Sequence, residues 1–430
     1  MTRTLPIAIV LLIVVLSGTG PRRQSTAAHA ALPPRGAHVS GVQVAQPDGL
    51  RTLTLYSAAL SGATRVNIAL PDGYASSRRR YPVLYLLAGH TGVYWQWADK
   101  TDVVSFTRGL PLIVVMLDGR GGWYSNPASG VGPRWADYLI DDLIPYVDAH
   151  YRTVAGRTGR AVAGPSMGGL GAFDYAALHP DLFAAAASFS GSLSLTGMEG
   201  PAWRAAFPDL AVFGDPRTDA LYWDGHDPVA LAPNLRGVRL YLASGNGRPG
   251  PFEPHGHSPD PDPGEQYSLT SLQEMAAALA GAGITATVED YGPGVHTWPY
   301  WQRDLHDALP LMMDTFAHPP APPLPWNYRT IDRHFNVWGY RFGRAGGAPG
   351  WTELQDVSRA GLTVDGMGGL FILVTAPLYR PSTPYALTID DVRQPRTVRA
   401  DATGRLSLAL TLAGAATRRR LSITLAPSSL

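Results

Sequence analysis

Up to Phe316 the chain is punctuated by short, nearly unbroken apolar runs: Val83 to Leu87, Leu112 to Leu117, Ala161 to Ala163, Phe183 to Phe189, Val238 to Ala243 and Thr285 to Val288. Strands that read as continuous apolar text are buried on both faces, as in a parallel sheet. Between these runs the period changes. Trp135 to His150 sets Leu139, Leu143, Tyr146 and Val147 on one stripe at helical spacing. Leu272 to Ala280 and Trp301 to Phe316 also read as helices. Earlier, Thr52 to Tyr56 and Arg65 to Leu70 alternate apolar and polar positions around Ser61-Gly62-Ala63, which predicts a pair of strands. Strands alternating with helices predict an α/β sheet.

The pattern changes after Phe316. Pro319, Pro320, Pro322, Pro323 and Pro325 read as a stiff, extended linker. Beyond it helix signals vanish. Phe335 to Phe342, Gly361 to Val364, Leu370 to Thr375, Tyr385 to Ile389, Leu406 to Leu412 and Leu421 to Leu425 read as strands between Gly, Pro and Asp turns. Short strands at this spacing predict a small β-sandwich. At the other end Arg3 precedes an apolar run from Leu5 to Leu16 and the small residues Ser17 to Gly20, the pattern of an export signal. Ala28-His29-Ala30 offers a cleavage site, with cleavage near Thr19 or Gly20 and an uncleaved anchor as the alternatives. The expected organisation is therefore a signal segment over 1–30, a catalytic α/β domain over 40–317, a linker over 318–328 and a sandwich over 329–430.

Composition narrows the function. Apolar residues make up 45% and charged residues 16%, which excludes a disordered chain. The 35 basic and 34 acidic residues nearly cancel and form no basic stripe, so no nucleic-acid partner is expected. No apolar run after the signal segment predicts an integral membrane domain. Cysteine is absent, which removes thiol catalysis, disulfides and Cys-ligated zinc. No metal or other cofactor is expected.

One motif carries nucleophile chemistry. Gly164-Pro165-Ser166-Met167-Gly168 fits G-x-S-x-G, with an apolar strand before it and the helical stretch Leu170 to Leu178 after it. In this motif the serine stands on a strained strand-to-helix turn that glycines allow the backbone to pack around. Ser166 is the candidate nucleophile. Its proton needs a histidine that follows the last strand of the sheet. His296, in Gly292-Pro293-Gly294-Val295-His296, occupies that loop; His255 and His257 lie in a Pro-rich loop, and His90 lies too early in the chain. A carboxylate between the two must orient the imidazole. Glu253, Asp260, Asp262, Glu265 and Glu274 all qualify by position.

Three segments carry a resemblance: Ser244-Gly245-Asn246-Gly247, Gly164 to Gly169, and His296-Thr297-Trp298-Pro299-Tyr300-Trp301. Together they resemble the esterase D-like family of α/β-hydrolases, and most of all its mycobacterial branch of antigen 85 mycolyltransferases. The resemblance runs from about Thr52 to Phe316. It implies an α/β-hydrolase fold, a mainly parallel sheet flanked by helices. It also implies that the acid is the glutamate opening the helix before the histidine's strand, which is Glu265 here, with Asp262 the runner-up. The oxyanion hole falls to the amides of Met167, after the nucleophile, and of His90, after Gly89 at the end of an early strand. Ala88 and Thr91 stand where that branch carries an acidic residue and an arginine. Trp97, Trp123 and Trp298 lie near these loops in sequence and are candidates to line a substrate site.

The expected function is a secreted or envelope-associated bacterial serine esterase, taking acyl-ester substrates through an acyl-enzyme. One alternative is an acyltransferase that passes the acyl chain to trehalose, diacylglycerol or another envelope alcohol. Another, of a different class, is a surface protein whose sandwich grips an envelope glycolipid, a polysaccharide or a protein partner.

Overall fold

The two alternating segments pair, and the continuous runs stack beside them. The computed structural model describes residues 42–45, 49–253, 258, 260–390, 395–412 and 417–425. The signal segment expected at 1–30 and His255 and His257 lie outside these residues. Nine strands form the first sheet: β1 (Val42–Ala45), β2 (Leu50–Ser57), β3 (Gly62–Ala69), β4 (Val83–Leu86), β5 (Ile113–Leu117), β6 (Arg160–Pro165), β7 (Ala185–Phe189), β8 (Arg239–Ser244) and β9 (Thr287–Asp290). Their order is β1-β2-β3-β5-β4-β6-β7-β8-β9. β1, β2 and β3 pair antiparallel, β3 joins β5 antiparallel, and every pair from β5 to β9 is parallel.

The runs of β4 to β8 are continuous because the sheet is covered on both sides there; β9, expected buried at Thr285 to Val288, instead spans Thr287–Asp290 and is exposed throughout, as an edge strand. Val83, Tyr85, Ile113 and Val115 face one core; Leu84, Leu86, Val114 and Met116 face the other. Helices supply the covers. Trp135 to His150 is helical throughout, with a wider turn over Tyr138–Leu143. Met167–Leu178 packs beneath the sheet's centre with eleven of its residues buried. Pro263–Gly281 and Trp298–Ala317 are the long helices on either side of β9, and each starts earlier than its apolar stripe because a proline sits in the first turn.

After residue 317 the chain builds a sandwich. One sheet has the order β10-β13-β14-β19-β16-β17 and the other β11-β12-β15-β18. These are β10 (Trp326–Thr330), β11 (His334–Val337), β12 (Tyr340–Ala345), β13 (Thr352–Ser358), β14 (Gly361–Gly366), β15 (Gly369–Val374), β16 (Pro384–Ile389), β17 (Arg396–Arg399), β18 (Ser407–Leu412) and β19 (Thr417–Leu425). All pairs are antiparallel, and Trp326, Tyr328, Phe342, Leu354, Val364, Phe371 and Leu410 share the core between the sheets. The single strand expected from Phe335 to Phe342 is instead a hairpin. Trp338 and Gly339 both take positive φ, 50° and 76°, which is a two-residue turn that reverses the chain. β10 begins at Trp326, inside the stretch read as linker.

The described residues of both parts belong to one compact unit. Polar bonds stitch them together. Tyr328 donates its hydroxyl to the Leu178 carbonyl at 2.9 Å. Asn234 and the backbone of Arg329 exchange two bonds of 2.8 Å, and the Trp338 amide donates to Asp181 at 2.9 Å. Arg157 donates to the Pro320 carbonyl and lies over the Trp338 ring, so the proline stretch is pinned to the surface it crosses.

Candidate active site

The carboxyl ends of β4, β6, β7 and β8 open on the same edge of the sheet, the edge where α/β sheets bind ligands. Ser166 follows β6 directly and has φ 54° and ψ −124°. A non-glycine residue held there is strained, and such strain is tolerated only where the surroundings enforce it. They do so by close packing. A Cβ on Gly164 would meet Gly168 at 2.7 Å, one on Gly168 would meet the Ala88 carbonyl at 2.7 Å, and one on Gly169 would meet the Ser188 hydroxyl at 2.4 Å. The Ser166 amide is fixed by the Phe189 carbonyl at 3.0 Å, and the helix Met167–Leu178 starts immediately behind the hydroxyl.

The histidine loop hangs from the end of β8. Asn246 and Gly247 donate to the carbonyls of Gly292 and Gly294 at 2.8 and 2.9 Å. His296 packs edge-on against Trp301, ring centres 5.0 Å apart. Its Nδ1 lies 2.8 Å from Glu265 Oε2. Glu265 is wholly buried in the first turn of Pro263–Gly281. A buried carboxylate is costly unless hydrogen bonds replace its water. Here Oε1 accepts from the Gly245 amide at 2.6 Å, Ser190 Oγ at 2.8 Å and Ser244 Oγ at 3.0 Å, with Tyr291 OH at 3.4 Å. One oxygen is saturated, and the other is left for the imidazole.

Asp262 has a different job. It caps the same helix, accepting from the Gly264 amide at 2.8 Å and the Glu265 amide at 3.3 Å, and its second oxygen accepts from the His296 backbone amide at 3.0 Å. It holds the histidine's main chain and makes no bond to the ring.

Opposite, the turn after β4 closes over the nucleophile. Tyr124 OH accepts from the Ala88 amide at 2.7 Å and donates to its carbonyl at 3.0 Å, pinning the residue two before His90. Burial pushes the Tyr124 hydroxyl's pKa up, so it stays a donor at neutral pH. The amides of His90 and Met167 find no acceptor among the described residues. His90 Nε2 lies 2.6 Å from Asp209 Oδ2.

The candidate substrate aromatics divide. Trp97 is 1% exposed and donates to the Leu87 carbonyl at 2.7 Å; Trp123 is 2% exposed and donates to Asp209 at 3.0 Å. Both expectations are corrected: these rings brace the loops from beneath and offer no face to a ligand. Trp298 is half-buried at the start of its helix, edge-on to Trp97 at 5.2 Å. Sequence reasoning missed Ser190, Ser244 and Asp209. Of these only Ser244 lay in a motif already singled out.

The Esterase family model matches residues 57–312, three fifths of the chain. The chain belongs to this esterase family. Esterase Rv1288 of Mycobacterium tuberculosis is 38% identical over 250 residues, which cover 54% of this chain and 52% of that protein. The chain thus spans about half the length of that relative. The diacylglycerol acyltransferase/mycolyltransferase Ag85A of Mycobacterium leprae is 28% identical over 264 residues, 57% of this chain and 77% of Ag85A. Among solved structures, MPT51 of Mycobacterium tuberculosis superimposes with a TM-score of 0.50 at 18% identity, over 64% of this chain and 99% of MPT51. That likeness shows the α/β-hydrolase fold. The family match and the likeness to Ag85A place the chain in the esterase family, close to the antigen 85 branch.

Proposed function

We propose that this esterase is an exported enzyme that hydrolyses carboxylic esters through Ser166, His296 and Glu265. Ser166 Oγ forms the new bond to the acyl carbonyl while its proton passes to His296 Nε2. The carbonyl's electron pair moves to oxygen, and the amides of His90 and Met167 receive that charge. Collapse breaks the ester C–O bond, and His296 returns the proton to the leaving alkoxide. Water then repeats the sequence on the acyl-enzyme. Glu265 Oε2 holds the proton on Nδ1, so that Nε2 faces the serine as a base. Trp298 is the aromatic left to border the substrate. Catalysis is assigned to residues 40–317, and the sandwich of 329–430 is assigned a role outside the chemistry.

The observation that carries this reading is the His296–Glu265 pair, 2.8 Å apart on a wholly buried carboxylate whose other oxygen is already saturated. Acyl transfer to an envelope alcohol is the second reading, favoured by the likeness to Ag85A over 77% of that protein. Both readings share the acyl-enzyme. Turnover of p-nitrophenyl butyrate, with and without trehalose or glycerol, separates them. Hydrolysis predicts free butyrate as the main product under both conditions. An acylated alcohol as the main product would establish transfer instead, and no turnover of any ester would contradict both.

A further inference from the structure

Asp209 lies in a short helical turn, Pro208–Phe213, inserted between β7 and β8 and remote in sequence from every catalytic candidate. Its two carboxylate oxygens nevertheless reach two different loops of the oxyanion side. Oδ2 lies 2.6 Å from His90 Nε2, in the loop after β4. Oδ1 accepts from Trp123 Nε1 at 3.0 Å, in the loop after β5. We propose that Asp209 is a positioning residue for the oxyanion hole, clamping the two loops so that the His90 amide points at the reacting carbonyl oxygen. This rests on the reading of Ser166 and His90 given above.

Three observations separate the clamp from an ordinary surface ion pair. First, the loops it joins are strained. Thr91, Arg120, Trp123 and Tyr124 all take positive φ, between 43° and 57°, in a stretch where glycines alternate with bulky residues. Left to themselves, residues in that region relax; something must hold them. Backbone bonds do part of this, with Thr91 donating to the Arg120 carbonyl at 2.7 Å, but both partners of that bond are themselves strained. Second, the carboxylate, though about a third exposed at 32%, is packed directly against the chain. A Cβ on Gly121 would come within 2.0 Å of Asp209 Oδ2, so the chain touches the carboxylate there and only glycine fits. Third, the partners are packed against one another. Phe207 meets His90 edge-on at 4.9 Å and Trp123 at 5.8 Å, closing the third side.

The chemistry follows from where the proton sits. A carboxylate bound to Nε2 holds the ring proton there, so His90 anchors as a donor and its ring cannot rotate without breaking the bond. Fixing the ring fixes the main chain of the same residue. Oxyanion donors work by being in place before the charge develops, so a loop free to drift loses transition-state binding and leaves substrate binding largely intact.

The test uses the full chain with Asp209→Ala, Asp209→Asn, His90→Ala and the Asp209→Ala/His90→Ala double variant. Active sites are counted by the end-point of fluorophosphonate labelling, and kcat and KM are measured on p-nitrophenyl butyrate. Losing one oxyanion donor outright costs about 10²–10³ in kcat, so loss of its positioning is expected to lower kcat about 10- to 100-fold per labelled site. KM should stay within about threefold, because the lost interaction belongs to the transition state. The double variant should be no slower than either single variant, since both remove the same clamp. Asp209→Asn keeps the size but has one acceptor oxygen for two donors. It should show the same kcat loss, and it carries the test if the alanine variant fails to label. A kcat within twofold of wild type in Asp209→Asn, a change in KM alone, or additive losses in the double variant would overturn the proposal. Failure of the wild type to label at Ser166 would overturn the reading beneath it, a separate outcome.

Discussion

Glu265 shows how much one side chain's surroundings decide. Three short hydrogen bonds converge on Oε1, from the Gly245 amide, Ser190 and Ser244. In Glu265→Gln the amide oxygen must stay with those donors, which turns the NH2 toward His296 Nδ1. That stabilises the wrong tautomer, and the equivalent change in a serine protease costs about ten thousand-fold in kcat. Asp262→Asn keeps an acceptor for the helix cap but loses the one that holds the His296 amide. Its kcat is expected to fall about tenfold, the scale of one hydrogen bond of about 1.4 kcal/mol. Steady-state kinetics on a soluble ester ranks the two; a larger loss in Asp262→Asn would reverse the assignment. Ser166 and His296 were legible because a motif and a place in chain order name them. Glu265 was legible only through family resemblance, since five carboxylates shared its position. Ser190 and Asp209 were not legible, because they meet their partners Glu265 and His90 across 75 and 119 residues. A second buried carboxylate sets a pH dependence. Burial pushes the Asp304 pKa from 3.8 up to about 7, against the pull of Arg303. The folded state therefore holds this proton more tightly than the unfolded chain. The stabilisation is complete below 3.8 and is lost as pH rises to about 7. Asp304→Asn should show a smaller fall in urea-unfolding stability between about pH 5 and about pH 8 than the wild type. An unchanged slope would contradict this.

At the scale of elements, the parallel strands were the most legible part. Continuous apolar runs named β4 to β8 to within a few residues because both faces are buried, and nothing local competes with that pattern. The sandwich was less legible. Trp338 is no turn signal, and the hairpin between β11 and β12 exists because Gly339 follows it and both residues take positive φ. β13 and β17 carry polar text and went unread; β17 has no buried position, as an edge strand allows. The helix Met167–Leu178 is held against β4 by contact between backbones. A methyl group on Gly168 would sit 2.7 Å from the Ala88 carbonyl, and neither side can swing away. Gly168→Ala should therefore lower stability by roughly 1–3 kcal/mol, the usual range for overpacking, and also slow turnover, because Ala88 carries the His90 loop. Urea unfolding and kcat measured together check this; a loss of stability with unchanged kcat would show that the loop does not move with Ala88.

For the whole molecule, the proline-rich stretch reads as a linker between two parts. The contacts point the other way. Asn234 is 3% exposed and bonds across the junction to Arg329, the Leu178 carbonyl accepts from Tyr328, and Arg157, 9% exposed, sends one of its three bonds to Pro320. Ending the chain at Ala317 removes those partners and uncovers the surface they seal. Each buried polar group left without a partner costs about 1–3 kcal/mol. The shortened chain is expected to melt well below the full one and to aggregate; equal melting temperatures in calorimetry would show that the sandwich contributes nothing to the catalytic part. In the proposed reading, the stitched molecule serves the Ser166 hydroxyl at the edge of its sheet. Mass-spectrometric mapping of a fluorophosphonate adduct on the full chain tests that claim most directly. One adduct per chain, on Ser166 and absent from Ser166→Ala, is the predicted result, with the variant's ester turnover lower by about a million-fold. An adduct on another residue, or turnover by Ser166→Ala within tenfold of the wild type, would contradict it.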